Sequence, residues 1–85
     1  MWSVTYTPDA LRTLRLMDPV IARRIRTKML ALARDPKARN NNVKKLIGVE
    51  GYRLRVGDWR AIYVLQQQTV TVIVVSVGHR SEVYE

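Results

Sequence analysis

The sequence has no cysteine, a single histidine, and only seven acidic residues against fifteen lysines and arginines. Without cysteine there is no disulfide and no thiolate metal site. One histidine and scattered carboxylates make no ligand cluster, so neither a metal nor another cofactor is expected. No apolar run approaches the ~18 residues needed to cross a bilayer. The opening "MWSVTYTPDALR" also lacks the charged segment and apolar stretch of a secretory signal. A cytoplasmic protein is therefore expected.

What remains is a small, strongly basic chain. Its 85 residues leave room for one domain, spanning 1–85. With 47% of residues apolar it has enough to build a core, which argues against disorder. A net charge of +8 predisposes the domain to polyanions, through counterion release on contact with phosphates. An acidic protein partner satisfies the same composition.

"WSVTY" (residues 2–6) alternates and is rich in β-branched and aromatic residues, and so reads as a strand. Thr7 can cap a helix that begins at Pro8, with Asp9 complementing its dipole; Ala10, Leu14 and Met17 form its apolar stripe. Asp18 and Pro19 repeat the start signal, and Ile21, Ile25, Met29 and Leu32 share one face of the second helix. Asp35-Pro36 closes it, because the residue before proline is biased out of the helical region. Residues 37–51 are polar and basic and read as a connection, although "VKKLIG" could be briefly extended. "YRLRV", a "GD" turn and "WRAIYVL" form a hairpin; after "QQQ", the apolar run "TVTVIVVSVGH" reads as a central strand. The order β-α-α-β-β-β implies an α+β domain. Two antiparallel helices would pack on one face of a four-stranded, mainly antiparallel twisted sheet.

Strand alternation sets Tyr52, Leu54 and Val56 on one face and Arg53 and Arg55 on the other. Arg60 lies just across the turn, though its face depends on the register. After the last strand come His79, Arg80 and Tyr84, which a short-turn topology can bring toward the same groove. Each has a plainer reading: strand arginines are usually solvated, a lone histidine is usually structural, and a terminal tyrosine usually packs. Arg23, Arg24, Arg26 and Lys28 are most simply the polar face of the second helix.

"KKLIGVEGYRLRVGDWRAIYVL" and "VTVIVVSVGHRSEVY" together resemble the RelE/ParE superfamily of type II toxins. The shared pattern is K-L-x-G, then Y-R-[LI]-[RK]-x-G-[DN]-[YW]-R, then V-x-x-V-G-[HK]-R-x-x-x-Y. The likeness is close over residues 44–84, and the element order extends it to the whole chain. It implies the RelE-like fold and, on the RelE branch, a metal-independent endoribonuclease that cuts messenger RNA in the ribosomal A site. Arg53, Arg55, Arg60, Arg80 and Tyr84 fall on that branch's functional positions. Their retention favours RNA cleavage over gyrase inhibition, the activity of the ParE branch.

In the implied reaction the 2′-hydroxyl attacks the adjacent phosphorus, expels the 5′-oxygen and leaves a 2′,3′-cyclic phosphate. Without a metal, arginine forks must meet the developing charge. The RelE branch carries lysine where this chain has Arg53 and Arg55, and arginine does not give up its proton. His79 is then the expected proton-transfer residue, since histidine is the side-chain type suited to acid–base work near neutrality. Lys44, Lys45, Arg23, Arg24, Arg26 and Lys28 are expected to contact RNA or the 70S ribosome. The resemblance also implies an acidic, RelB-like antitoxin. As the sequence stops at Glu85, without the C-terminal helix of some relatives, the expectation is neutralisation by direct masking of the basic face.

Overall fold

A computed structural model describes residues 1–81. The elements run β1 (Ser3–Tyr6), α1 (Pro8–Leu16), α2 (Pro19–Leu32), β2 (Val43–Lys45), β3 (Tyr52–Val56), β4 (Trp59–Gln66) and β5 (Thr71–His79). A short 3-10 turn, Gln67–Thr69, links the last two strands. The sheet order is β1-β5-β4-β3-β2, with β1 parallel to β5 and every other pair antiparallel. The expected four strands become five, because "VKK" within the polar connection pairs with β3. Its three residues are too few to signal a strand locally, and only the partner makes them one.

Both helices start where their caps dictate. The Thr7 hydroxyl oxygen accepts from the Ala10 N–H at 3.2 Å, and the Asp18 carboxylate accepts from the Val20 N–H at 2.8 Å. Helix α2 stops at Leu32, a little short of Asp35-Pro36, and residues 33–38 continue as turns. Ala10 and Leu14 from α1, and Ala22, Ile25, Met29 and Leu32 from α2, bury against Leu54, Val56, Ala61, Tyr63, Val72, Val74 and Val77 of the sheet. The helices thus cover one face of the sheet, as expected.

Two glycines are fixed by geometry. Gly57, at φ +61°, opens the two-residue turn between Val56 and Trp59, a position that asks for positive φ. Gly51, at φ +135°, sits where a Cβ would come within 3.1 Å of the Tyr63 carbonyl oxygen.

Strand β5 contains a bulge. Ile62 pairs with Ser76 but Tyr63 pairs with Val74, so Val75 has no opposite number on β4. Its carbonyl oxygen instead accepts a 2.6 Å hydrogen bond from the Thr7 hydroxyl, which ties the start of α1 to the irregularity. The extra residue reverses which side chains of β5 face the helices beyond that point. Among the described residues no helix is long and apolar enough to cross a membrane.

Candidate phosphate-binding face

The register settles the position of Arg60. It lies directly opposite Arg55, and Arg53 lies opposite Ile62 on one side and Lys44 on the other. Opposed residues of an antiparallel pair share a face. Leu54, opposite Ala61, belongs to the helix-covered side, so Lys44, Arg53, Arg55 and Arg60 all stand on the other. They line an open cavity of about 120 Å³ together with Asn41 and Asn42, and no carboxylate is among the lining residues.

Like charges directly opposite one another in a sheet are destabilising. The Arg55–Arg60 pair therefore carries a local cost, and backbone and amide groups hold it in place. The Arg55 N–H donates to the Asn42 carbonyl oxygen at 2.8 Å, and its Nη2 donates to Asn42 Oδ1 at 3.5 Å. Arg60 Nη1 donates to the carbonyl oxygens of Gly57 at 3.3 Å and Trp59 at 3.2 Å, folding the guanidinium over the turn. Arg80 is anchored at the same turn, its N–H donating to the Asp58 carbonyl oxygen at 2.7 Å. Its Nη1 also lies 3.9 Å from Asp58 Oδ1, a solvent-exposed pair of little energetic weight. Fixed guanidinium groups around a concavity suit the oxygens of a phosphate, which they can engage in bidentate fashion.

The other expected site residues are distributed differently. His79 lies opposite Trp59, and its ring meets the Trp59 ring edge-on at 5.5 Å between centroids. Trp59 packs against the core, so the His79 ring is on the helix side of the sheet, away from the arginine face. Its Nδ1 lies 3.0 Å from the Ser81 hydroxyl. The expectation that His79 joins the arginines in one groove is corrected by this geometry, and the cause is the bulge at Val75. Tyr84 lies outside the described residues.

Lys45 pairs with Tyr52, one pleat out of step with Lys44, and so misses the cluster. Arg23, Arg24, Arg26 and Lys28 are exposed on α2, which covers the opposite face. Arg26 lies 5.3 Å above the Tyr6 ring, a cation–π contact that accounts for one member of that run structurally. Burial raises the Tyr6 hydroxyl above its ordinary value, and the Arg26 charge partly offsets the rise. Lys44 was expected as a general RNA contact, yet it belongs to the cluster itself. Sequence reasoning missed Asn41 and Asn42 entirely. The alternation of "VKK" against "YRL" is the one signal that could have placed Lys44, and it needs the pairing to be read.

The family model described as the ParE toxin of the type II toxin-antitoxin system, parDE, matches residues 4–84. The chain belongs to that family. No significant match exists among curated protein sequences. Among solved structures, the toxin-antitoxin complex RelBE2 from Mycobacterium tuberculosis is similar at 26% identity and a TM-score of 0.80, over 93% of this chain and 98% of that one. The intact E. coli RelBE complex gives 22% identity and a TM-score of 0.80, over 93% of this chain and 96% of that one. The archaeal RelE-RelB complex from Pyrococcus horikoshii gives 23% and 0.79, over 96% and 98%. The last two likenesses establish the shared fold.

Proposed function

We propose that this toxin is a ribosome-dependent, metal-independent endoribonuclease that cuts messenger RNA in the A site and so arrests translation in the cytoplasm. The observation that supports it is the Arg55–Arg60 opposition, flanked by Lys44 and Arg53, around a cavity without a carboxylate. A sheet that keeps mutually repelling cations in register breaks a local stability rule, as functional sites do. The arginines meet the charge that develops on phosphorus as the 2′-hydroxyl attacks and the 5′-oxygen leaves. Arg80, held at the same turn, adds a further fork, and Tyr84 stacks on the displaced nucleotide. The ribosome orients the message, a contribution that a domain of this size cannot make alone.

The solved neighbours are complexes with RelB antitoxins, and an acidic RelB-like segment laid on this same basic face is the corresponding partner here. A second reading, a gyrase inhibitor without nuclease chemistry, is favoured by one observation: the matching family model is that of ParE. Primer extension on a message in a translating extract separates the two. Cuts placed within codons, and lost in an Arg60→Ala/Arg80→Ala double variant, support the nuclease. Translation untouched while the purified protein blocks DNA supercoiling would overturn it.

A further inference from the structure

Three consecutive backbone carbonyls at the tip of the β3–β4 hairpin accept hydrogen bonds from the site's arginines. Those of Gly57 and Trp59 take Arg60 Nη1, at 3.3 and 3.2 Å. That of Asp58, between them, takes the Arg80 N–H at 2.7 Å. Where these carbonyls point is a property of the turn's backbone. Gly57 has φ +61° while Asp58 stays outside the positive-φ region, the pattern of a type II′ turn, which calls for glycine at its first central position. The strand neighbours of Arg60 do not orient it. On β3 it meets the like charge of Arg55, and on β5 it meets Gly78, which has no side chain. With Nη1 held on the turn, the Nε–Nη2 edge is the one presented for bidentate contact with a phosphate. Arg80 starts from the same frame, with the Asp58 carboxylate 3.9 Å from its own Nη1.

We propose that the Gly57-Asp58 turn is a positioning element for the phosphate face: its backbone sets which edge of Arg60 is presented and fixes where Arg80 starts relative to it. Gly57 and Asp58 are thus positioning residues, acting through the two arginines rather than on the reacting atoms. Forks that meet charge developing on one phosphorus need a fixed mutual geometry, because a misplacement of about 1 Å can cost ~10²-fold in rate. A short hairpin turn supplies that rigidity, since its loop length and the sign of φ at Gly57 select the turn's backbone path. The inference deepens the nuclease reading and rests on it for what the arginines act upon. The joining of Arg60 and Arg80 through one turn rests on the hydrogen bonds alone.

The test lengthens the turn in the full chain. A glycine inserted between Gly57 and Asp58 should lower kcat for ribosomal cleavage by about 10²-fold with KM little changed. A glycine inserted after Gln68, in the link between β4 and β5, should leave both constants at the native level. In an Arg60→Ala background the turn insertion should cost only about tenfold more, because residues that act as a unit are not additive. In NMR spectra, inorganic pyrophosphate should shift the Arg60 Nε–H resonance of the native chain and leave that of the turn insertion in place. Urea midpoints of both insertions report any lost stability. Where the turn insertion does not fold, Gly57→Ala perturbs the same backbone through φ alone, since a Cβ there meets nothing within 4 Å, and is read by the same measurements. Equal losses from the two insertions, a change confined to KM, or the full loss persisting without Arg60 overturns the positioning role. So does a native Arg60 Nε–H that pyrophosphate leaves unmoved. If the native chain cuts no message yet its response to pyrophosphate depends on the turn, the positioning element stands and the nuclease reading falls.

Discussion

Leu54 and Arg55 are neighbours on β3 and differ by one pleat. Leu54 is 3% exposed beneath the helices, in contact with a core that includes Ile25 and Met29 at 0%. Arg55 is exposed on the reverse of the sheet, opposite another arginine. The same alternation runs along β4, where Ala61 and Tyr63 are buried and Arg60 between the turn and the core faces out. One face therefore carries the hydrophobic term that holds the domain together, and the other carries charge that mildly opposes folding. Separating the two tasks by a period of two lets each face change with little consequence for the other.

Substitutions on opposite faces should then fail in opposite assays. Leu54→Ala, on the covered face, should cost about 2–5 kcal/mol, a large share of a small domain's stability, as read from urea denaturation. Arg60→Ala should reduce ribosomal cleavage by roughly 10² to 10³, the effect of losing one donor to developing charge, with a nearly unchanged urea midpoint. A cleavage rate that survives Arg60→Ala would erase the division between the faces.

His79 probes the boundary. Its edge-on contact with Trp59 puts it with the structural face, so His79→Ala should leave cleavage within a few fold of native. Stability should fall by about 0.5–1.5 kcal/mol, the value of an aromatic pair. A hundredfold loss of cleavage without loss of stability would return His79 to the chemistry.

The smallest expected effect lies within the covered face and has the opposite sign. The Tyr63 hydroxyl is buried with no hydrogen-bond partner among the described residues. Tyr63→Phe should therefore raise stability by about 1 kcal/mol, seen as a higher urea midpoint at constant slope. Burial, and then Tyr52 stacked at 5.4 Å, push this hydroxyl well above the ordinary range for tyrosine. The folded state thus holds the proton more tightly than the unfolded chain. Stability is fully present below pH ~10 and declines as pH rises past it, where unfolded tyrosine ionises first. The Phe variant should show a shallower alkaline decline, with a residue left by Tyr6, which is raised in the same direction.

Much of this was legible locally. Caps at Thr7 and Asp18, the glycine of the "GD" turn and the strict alternation of "YRLRV" are short-range signals, and each element formed where they pointed. The "VKK" strand was legible only as the brief extended option for "VKKLIG", because three residues become a strand only through a partner brought there by the rest of the fold.

That Arg53 and Arg55 share a face follows from the order of residues in "YRLRV", since a period of two is a property of one strand alone. Which other side chains join them depends on strand pairing across the sheet. The pairing of β3 with β4 brought Arg60 opposite Arg55, and the pairing with β2 brought Lys44 opposite Arg53. Counting by twos along β5 from Val74 would put His79 on the arginine face. One unpaired residue at Val75, its carbonyl held by Thr7 from the far end of the chain, shifts that count and sends the imidazole to Trp59 instead. A bulge reverses the facing of everything beyond it, and only a partner strand can create one.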